Sequence, residues 1–383
     1  MTANPSTPRY MLSDVDFDET EERAVLEVIR SKWLSQGPRT GEFEQRFAEY
    51  IGARFALAAA NCTAALHLAM LAAGIGPGDE VIVPSLSFVA TANAVLYVGA
   101  TPVFAEIESL ERPLMTPATV RAVMTDKTRA VIPMHYAGYP CDVMGIRALG
   151  GAEALRVIED AAHSVGSRVN GRMCGTLGDI GCFSFFANKN LPAGEGGMLT
   201  TDDADLFADL KLRRSHGMTS LSWDRMKGHS FSYDVVGLGY NFRMPELTAA
   251  VGLAQLGKLE RHNRERDRVF SDYVAALAGH PKLGLPFSAE PAPGARHLLP
   301  IVLAAGVDRR AFMQALRDAG IQSSIHYPPI HRFSHYVSLA GGTARSLPLT
   351  EQYSERVVTL PFHPGLASSD VALICEQVAL ALR

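Results

Sequence analysis

Through its first two-thirds the chain alternates short apolar runs with longer stretches in which apolar residues recur at helical spacing. Short apolar runs bounded by turn residues read as buried strands, and the periodic stretches as helices. Strands are expected at residues 55–60, 81–84, 102–107, 130–135, 156–160, 181–186 and 197–201. Helices are expected at 63–73 and 118–125, and at 203–216 after the last strand. Such alternation implies an α/β fold with a mainly parallel sheet.

Pro245 suits the first turn of a long helical pattern that runs on to Leu277. Between Leu247 and Leu256 this pattern is apolar on nearly every face and is expected to be buried all round. The charged run 260–268 is expected to be a solvated face. The remainder reads as strand 297–303, helix 308–319, strand 321–327 and two helices at 350–359 and 370–382, a small α+β domain. With 383 residues two domains are expected, a large one over 15–250 and a small one over 251–383. The Pro- and Gly-rich stretch 281–294 reads as a surface connection.

Composition narrows the function. A charge of −4 gives no reason to expect nucleic acid or an anionic membrane as partner, so an acidic substrate must meet local basic residues in a cleft. The five cysteines are scattered with no CxxC pair, which suits reduced thiols in a cytoplasm rather than disulfides or a metal site. The first 14 residues lack the apolar core of a signal peptide, and no apolar run reaches membrane-spanning length.

The candidate chemistry lies at strand ends, where ligands bind in open α/β sheets. Lys189 follows the aromatic run Phe183-Ser184-Phe185-Phe186 and precedes the turn Ala193-Gly194-Glu195-Gly196-Gly197. Asp160 closes the run Val157-Ile158-Glu159-Asp160, with His163 just beyond. A lysine that joins the aldehyde of pyridoxal phosphate needs a partly apolar pocket and a carboxylate at the cofactor's ring nitrogen. Lys189 and Asp160 supply those parts; taken singly, they also suit an exposed loop lysine and a strand-end cap. At Asn61-Cys62 a strand breaks into a helix starting at Thr63, and a hydroxyl beside free backbone N–H groups makes a ready phosphate site. Phe88, just after strand 81–84, suits a ring stacked on a cofactor or an ordinary core aromatic.

In this order these segments resemble the DegT/DnrJ/StrS family of sugar aminotransferases, pyridoxal-phosphate enzymes of the aspartate-aminotransferase fold (fold type I). The likeness runs from Trp33-Leu34-Ser35-Gln36-Gly37-Pro38 to Leu360-Pro361-Phe362-His363-Pro364-Gly365. Between them lie Phe43-Glu44, Gly76-Pro77-Gly78-Asp79, Gly99-Ala100-Thr101-Pro102, Glu159-Asp160-Ala161-Ala162-His163, Glu195-Gly196-Gly197 and Gly239-Tyr240-Asn241-Phe242-Arg243. The resemblance implies that Lys189 is the Schiff-base lysine and Asp160 the partner of the ring nitrogen. It gives His163 the cofactor's phenolic oxygen, Phe88 the ring face, and Thr63, Ala64 and Ser184 the phosphate. Asn241 resembles an asparagine that reaches the phosphate in the other subunit, which implies a homodimer with shared sites. Trp33, Arg243 and the pair His326-Tyr327 resemble segments near the substrate. Cys62 departs from the glycine most relatives have there, and cysteine takes a positive φ only at a cost.

By the same resemblance the reaction moves an amino group from L-glutamate to a nucleotide-linked keto-sugar, in two ping-pong halves. The run His135-Tyr136-Ala137-Gly138-Tyr139-Pro140-Cys141-Asp142 leans toward relatives that aminate C4 of the sugar. Two alternatives stay open. One is another reaction class, such as the related sugar dehydratases, which have His where Lys189 stands. The other is a non-catalytic regulatory protein, which would need no lysine, carboxylate and phosphate elements together. The stretch 217–233, with Trp223, reads either as part of the acceptor pocket or as a surface loop.

Overall fold

All seven apolar runs expected as strands join one sheet. The chain is described by a computed structural model over residues 8–151, 155–220, 232–341 and 345–383, so Trp223 lies outside the described residues. The strands are β1 (Phe55–Ala59), β2 (Glu80–Pro84), β3 (Thr101–Ala105), β4 (Thr128–Val131) and β5 (Arg156–Asp160). After a two-stranded ribbon of β6 (Arg168–Val169) and β7 (Arg172–Met173) come β8 (Ile180–Ser184) and β9 (Gly197–Thr201). Their order across the sheet is β1-β9-β8-β5-β4-β2-β3. From β8 to β3 every pair is parallel, while β9 runs antiparallel to both its neighbours. The register sets Ala59 and Ser184 opposite Gly197 and Asp160 opposite Cys182, so the ends that carry the candidate chemistry share one edge.

Strand alternation divides the apolar side chains between two faces. Leu57 and Ala59 join a core with the helices Cys62–Ala72 and Ala90–Tyr97. Ala56 and Ala58 join Phe43, Phe47, Phe183 and Phe185 under the helix Pro38–Ile51 and the first half of Glu246–Leu277. That long helix corrects two expectations. Its start is not buried all round: Ala249, Ala250, Gly252 and Gln255 are buried, whereas Leu247, Val251, Leu253 and Leu256 are half-buried. Small residues face inward because the neighbouring helix is close; a Cβ on Gly252 would lie 2.7 Å from the Phe43 ring. Nor is 260–268 simply a solvated face, since His262, Asn263 and Arg266 are buried. They continue an inward stripe from Leu259 to Val269, Phe270, Tyr273 and Leu277, spaced as one face of a helix demands.

The last four of these apolar residues enter a second core beneath a three-stranded antiparallel sheet of β10 (Leu283–Gly284), β11 (Leu299–Leu303) and β12 (Val357–Leu360). The helices Arg309–Asp318 and Ser368–Ala381 contribute to it. The expected strand 321–327 is replaced by single bridges, Ile321 to Tyr10 and Ser324 to Thr359. Pro328 and Pro329 follow directly, have no N–H to extend a ladder, and restrict the residue before them. The expected helix 350–359 stops at Arg356, because the β-branched run Val357-Val358-Thr359 pairs with β11 instead. Among the described residues no helix is long and apolar enough to cross a membrane.

Candidate active site

Along β5 the side chains alternate, so Glu159 and Asp160 face opposite ways. Glu159 accepts backbone N–H bonds from Gly175, Leu177 and Gly178 at 2.7–2.8 Å and fixes the loop behind the sheet. Asp160 faces a cavity of about 470 Å³ at the sheet edge and is only 4% exposed. Its Oδ2 accepts the Thr91 hydroxyl at 2.7 Å and its Oδ1 the Ala162 N–H at 3.2 Å. Since Thr91 spends its proton on the carboxylate, the Ser87 hydroxyl 2.7 Å away donates to Thr91. Burial pushes the Asp160 pKa up; the Thr91 and Ala162 bonds and the nearby Lys189 work against it.

Lys189 lies on the cavity wall after the turn in which its N–H meets the Phe186 carbonyl. Burial lowers its pKa from the usual 10.5 to about 8, with Asp160 pulling the other way. A solvated lysine is almost wholly protonated at neutral pH, so this amine stands much nearer its nucleophilic form.

Also on the cavity wall, the helix Cys62–Ala72 begins directly after β1. Asn61 caps it, accepting the Ala64 N–H at 2.8 Å. Cys62 is the first helical residue and is not among those with positive φ, so this position does not need the glycine expected there. The glycine requirement falls instead on Gly197, where a Cβ would sit 2.5 Å from the Asn61 carbonyl carbon. Thr63 and Ser184 both line the cavity near this junction.

His163 is buried, yet borders the cavity. Its Nδ1 accepts the Ala137 N–H at 3.3 Å, so in the neutral ring Nε2 holds the proton and donates to the Tyr327 hydroxyl at 3.1 Å. Burial keeps the ring neutral, as do Lys189, His297 and His326 close by. Phe88 is 59% exposed on the wall, 6.3 Å from the Tyr327 ring, and is no core residue. Burial and Lys189 together lower the His326 pKa to about 4, and its Nδ1 lies 2.9 Å from the Thr359 hydroxyl.

The fold therefore brings Lys189, Asp160, Thr63, Phe88, His163, Ser184, His326 and Tyr327 to one cavity. Four of the expected residues are elsewhere. Ala64 is buried behind its cap with its N–H engaged. Trp33 donates its ring N–H to the Gln36 carbonyl at 3.1 Å in a loop away from the wall. Arg243 and the exposed Asn241 also stand off the wall of this single chain. Thr91 and His297 were not anticipated. Thr91 had a faint signal, a hydroxyl four residues after Ser87, whereas His297 lies 108 residues from Lys189 and had none.

The model of the DegT/DnrJ/EryC1/StrS aminotransferase family matches residues 15–379. The spore coat polysaccharide biosynthesis protein SpsC of Bacillus subtilis (strain 168) is 40% identical over 375 residues, 96% of this chain and 95% of its own. Spr1654 from Streptococcus pneumoniae, solved in a PLP form, superposes with a TM-score of 0.88 at 28% identity, covering 97% of this chain and 98% of its own. DesI, solved in the presence of its TDP-sugar product, gives a TM-score of 0.86 at 30% identity over 100% of this chain and 94% of its own. With the family model spanning nearly its whole length and this cavity at its centre, the chain belongs to the DegT/DnrJ/EryC1/StrS aminotransferase family.

Proposed function

We propose that the protein is a pyridoxal-phosphate aminotransferase that carries an amino group from L-glutamate to C4 of a nucleotide-linked keto-sugar. The observation that carries this reading is the meeting of a lysine of lowered pKa, a buried carboxylate and a helix start around one cavity. Those three parts fit a group that bears an aldehyde, a ring nitrogen and a phosphate. Lys189 would hold the aldehyde carbon, Asp160 the ring nitrogen, and Thr63 and Ser184 the phosphate. Phe88 would cover the ring and His163 would meet its phenolic oxygen. When bound, the cofactor supplies an electrophilic carbon for amines and a ring able to store an electron pair.

The chain's own residues do the rest. Lys189 Nζ takes and returns a proton at the substrate carbon, which a pKa near 8 permits in both directions around neutral pH. Asp160, held by Thr91 and Ala162, would favour a protonated ring nitrogen once the cofactor is bound. Asn241, exposed between Tyr240 and Phe242, would complete the phosphate site of a second copy in a homodimer. A dehydratase-type reading is disfavoured by the lysine at position 189.

The deciding experiment mixes purified protein with pyridoxal phosphate and L-glutamate and follows the absorbance. Conversion of the bound cofactor to its amine form supports the donor half-reaction, and screening nucleotide-linked 4-keto and 3-keto sugars then finds the acceptor. Cofactor bound with no spectral change would overturn the choice of donor or of reaction class.

A further inference from the structure

We propose that His297 is a positioning residue for Lys189, accepting a hydrogen bond from its amine at the end of a buried polar relay. The argument starts far from the cavity, at a group whose role is fixed. The Val165 carbonyl can only accept, and it lies 3.2 Å from Asn263 Nδ2. Asn263 Oδ1 is therefore the atom that faces Asn190, whose Nδ2 donates to it at 3.0 Å. The same Asn190 Nδ2 donates its second hydrogen to the Arg296 carbonyl at 3.0 Å. Both amide hydrogens are spent, so Asn190 presents Oδ1 to His297 Nδ1 at 3.0 Å.

An amide oxygen cannot donate, so His297 Nδ1 carries the hydrogen. Burial holds the ring neutral, and the neighbouring Lys189, Arg266 and His326 act in the same sense. A neutral ring protonated at Nδ1 has a bare lone pair at Nε2, and that atom lies 3.4 Å from Lys189 Nζ. Asn190, Asn263 and His297 are each at most 5% exposed, so no water is needed to satisfy the relay. It joins the long helix, the residue after Lys189 and the residue leading into β11 in one chain, of which His297 alone reaches the amine. The bond draws one Nζ hydrogen toward the small sheet and leaves the rest of the amine directed at the cavity. The other titratable groups around the amine are Asp160 and Cys62, and the rings of His163 and His326, both held neutral by burial and by Lys189 itself.

This inference rests on the reading of Lys189 as the reacting amine, but it can be tested without turnover. In cofactor-free protein, the pH dependence of Lys189 acetylation, read by mass spectrometry against exposed lysines, reports the amine's midpoint. Wild type is expected near pH 8. An acceptor favours the ammonium over the amine, so His297→Leu should lower the midpoint by about one pH unit, and His297→Gln, which keeps an acceptor, should largely restore it. An unchanged midpoint in a folded His297→Leu protein overturns the proposal. A measurement on the wild type stands apart from any folding defect: nitrogen NMR of histidine-labelled protein should find His297 neutral with its proton on Nδ1. A proton on Nε2, or a charged ring, overturns the relay. Failure of the glutamate half-reaction in wild type would count against the proposed function and leave this result standing.

Discussion

Asp160 and Phe88 border the same cavity but touch it through different physics, and their substitutions should separate accordingly. A carboxylate buried beside a ring nitrogen acts in a medium of low polarity, where charge is worth most. Asp160→Ala is expected to lower kcat by about a thousandfold or more, and Phe88→Ala, which removes stacking from a half-open wall, by about tenfold. Equal losses would remove the role given to Asp160. Thr91→Val takes one charge-assisted hydrogen bond from Asp160; about 1.5 kcal/mol corresponds to roughly tenfold in kcat. For Lys189 the sign with pH is fixed by its depressed value. Below about 8 the ammonium dominates, so capture of pyridoxal phosphate by cofactor-free protein should accelerate as pH rises toward 8 and level off above it. A rate still climbing tenfold per unit between pH 9 and 10 would show a lysine of ordinary basicity. Lys189→Ala should abolish turnover altogether.

Helices and strands met the sequence reading unevenly, for reasons visible in single residues. Strands 156–160 and 197–201 were legible to the residue because turn chemistry bounds an apolar run. The helices Glu19–Ser31 and Pro38–Ile51 were not, although Asp18 and Glu21 form a capping box at the first. Their polar majority conceals a narrow apolar stripe. The second helix shows why its start is hard to read locally: Gly37 offers no side-chain cap. The cap comes from Glu246, some 200 residues on, whose carboxylate accepts the N–H groups of Gly37, Arg39 and Thr40 at 2.8–2.9 Å. Glu246→Ala should leave those donors unmatched at a buried junction and cost about 2–3 kcal/mol, read as a lower melting temperature. At Gly197 the constraint is steric, so Gly197→Ala should force β9 away from the start of the helix Cys62–Ala72. About 1–3 kcal/mol of stability and much of the cofactor affinity should go with it, measured by melting and by cofactor titration. Preserved affinity would mean that the junction is more pliable than its close packing implies.

Across the whole molecule the proposed dimer makes a prediction no single chain can. If Asn241 completes the other copy's site, mixing inactive Lys189→Ala protein with impaired Asn241→Ala protein should restore activity. Hybrid dimers would hold one intact site each, so random exchange should restore about a quarter of wild-type turnover. No recovery after exchange would mean self-contained sites. The family and its order of landmarks were legible in the sequence because they depend on local residues. The relay through Asn190 and His297 was not, since it depends on which distant loops meet. The sheet also fixes an order in time. Because β1 is hydrogen-bonded to β9 and lies at the sheet edge, the first strand to leave the ribosome has no neighbour until residue 201 is made. At ordinary rates of synthesis that delay is about ten seconds or more, during which an apolar strand waits as bait for chaperones and for aggregation. The proposed phosphate site and the lysine turn come together only when β9 closes that gap. Capture of the cofactor on the nascent chain would therefore mark the moment the large sheet is finished.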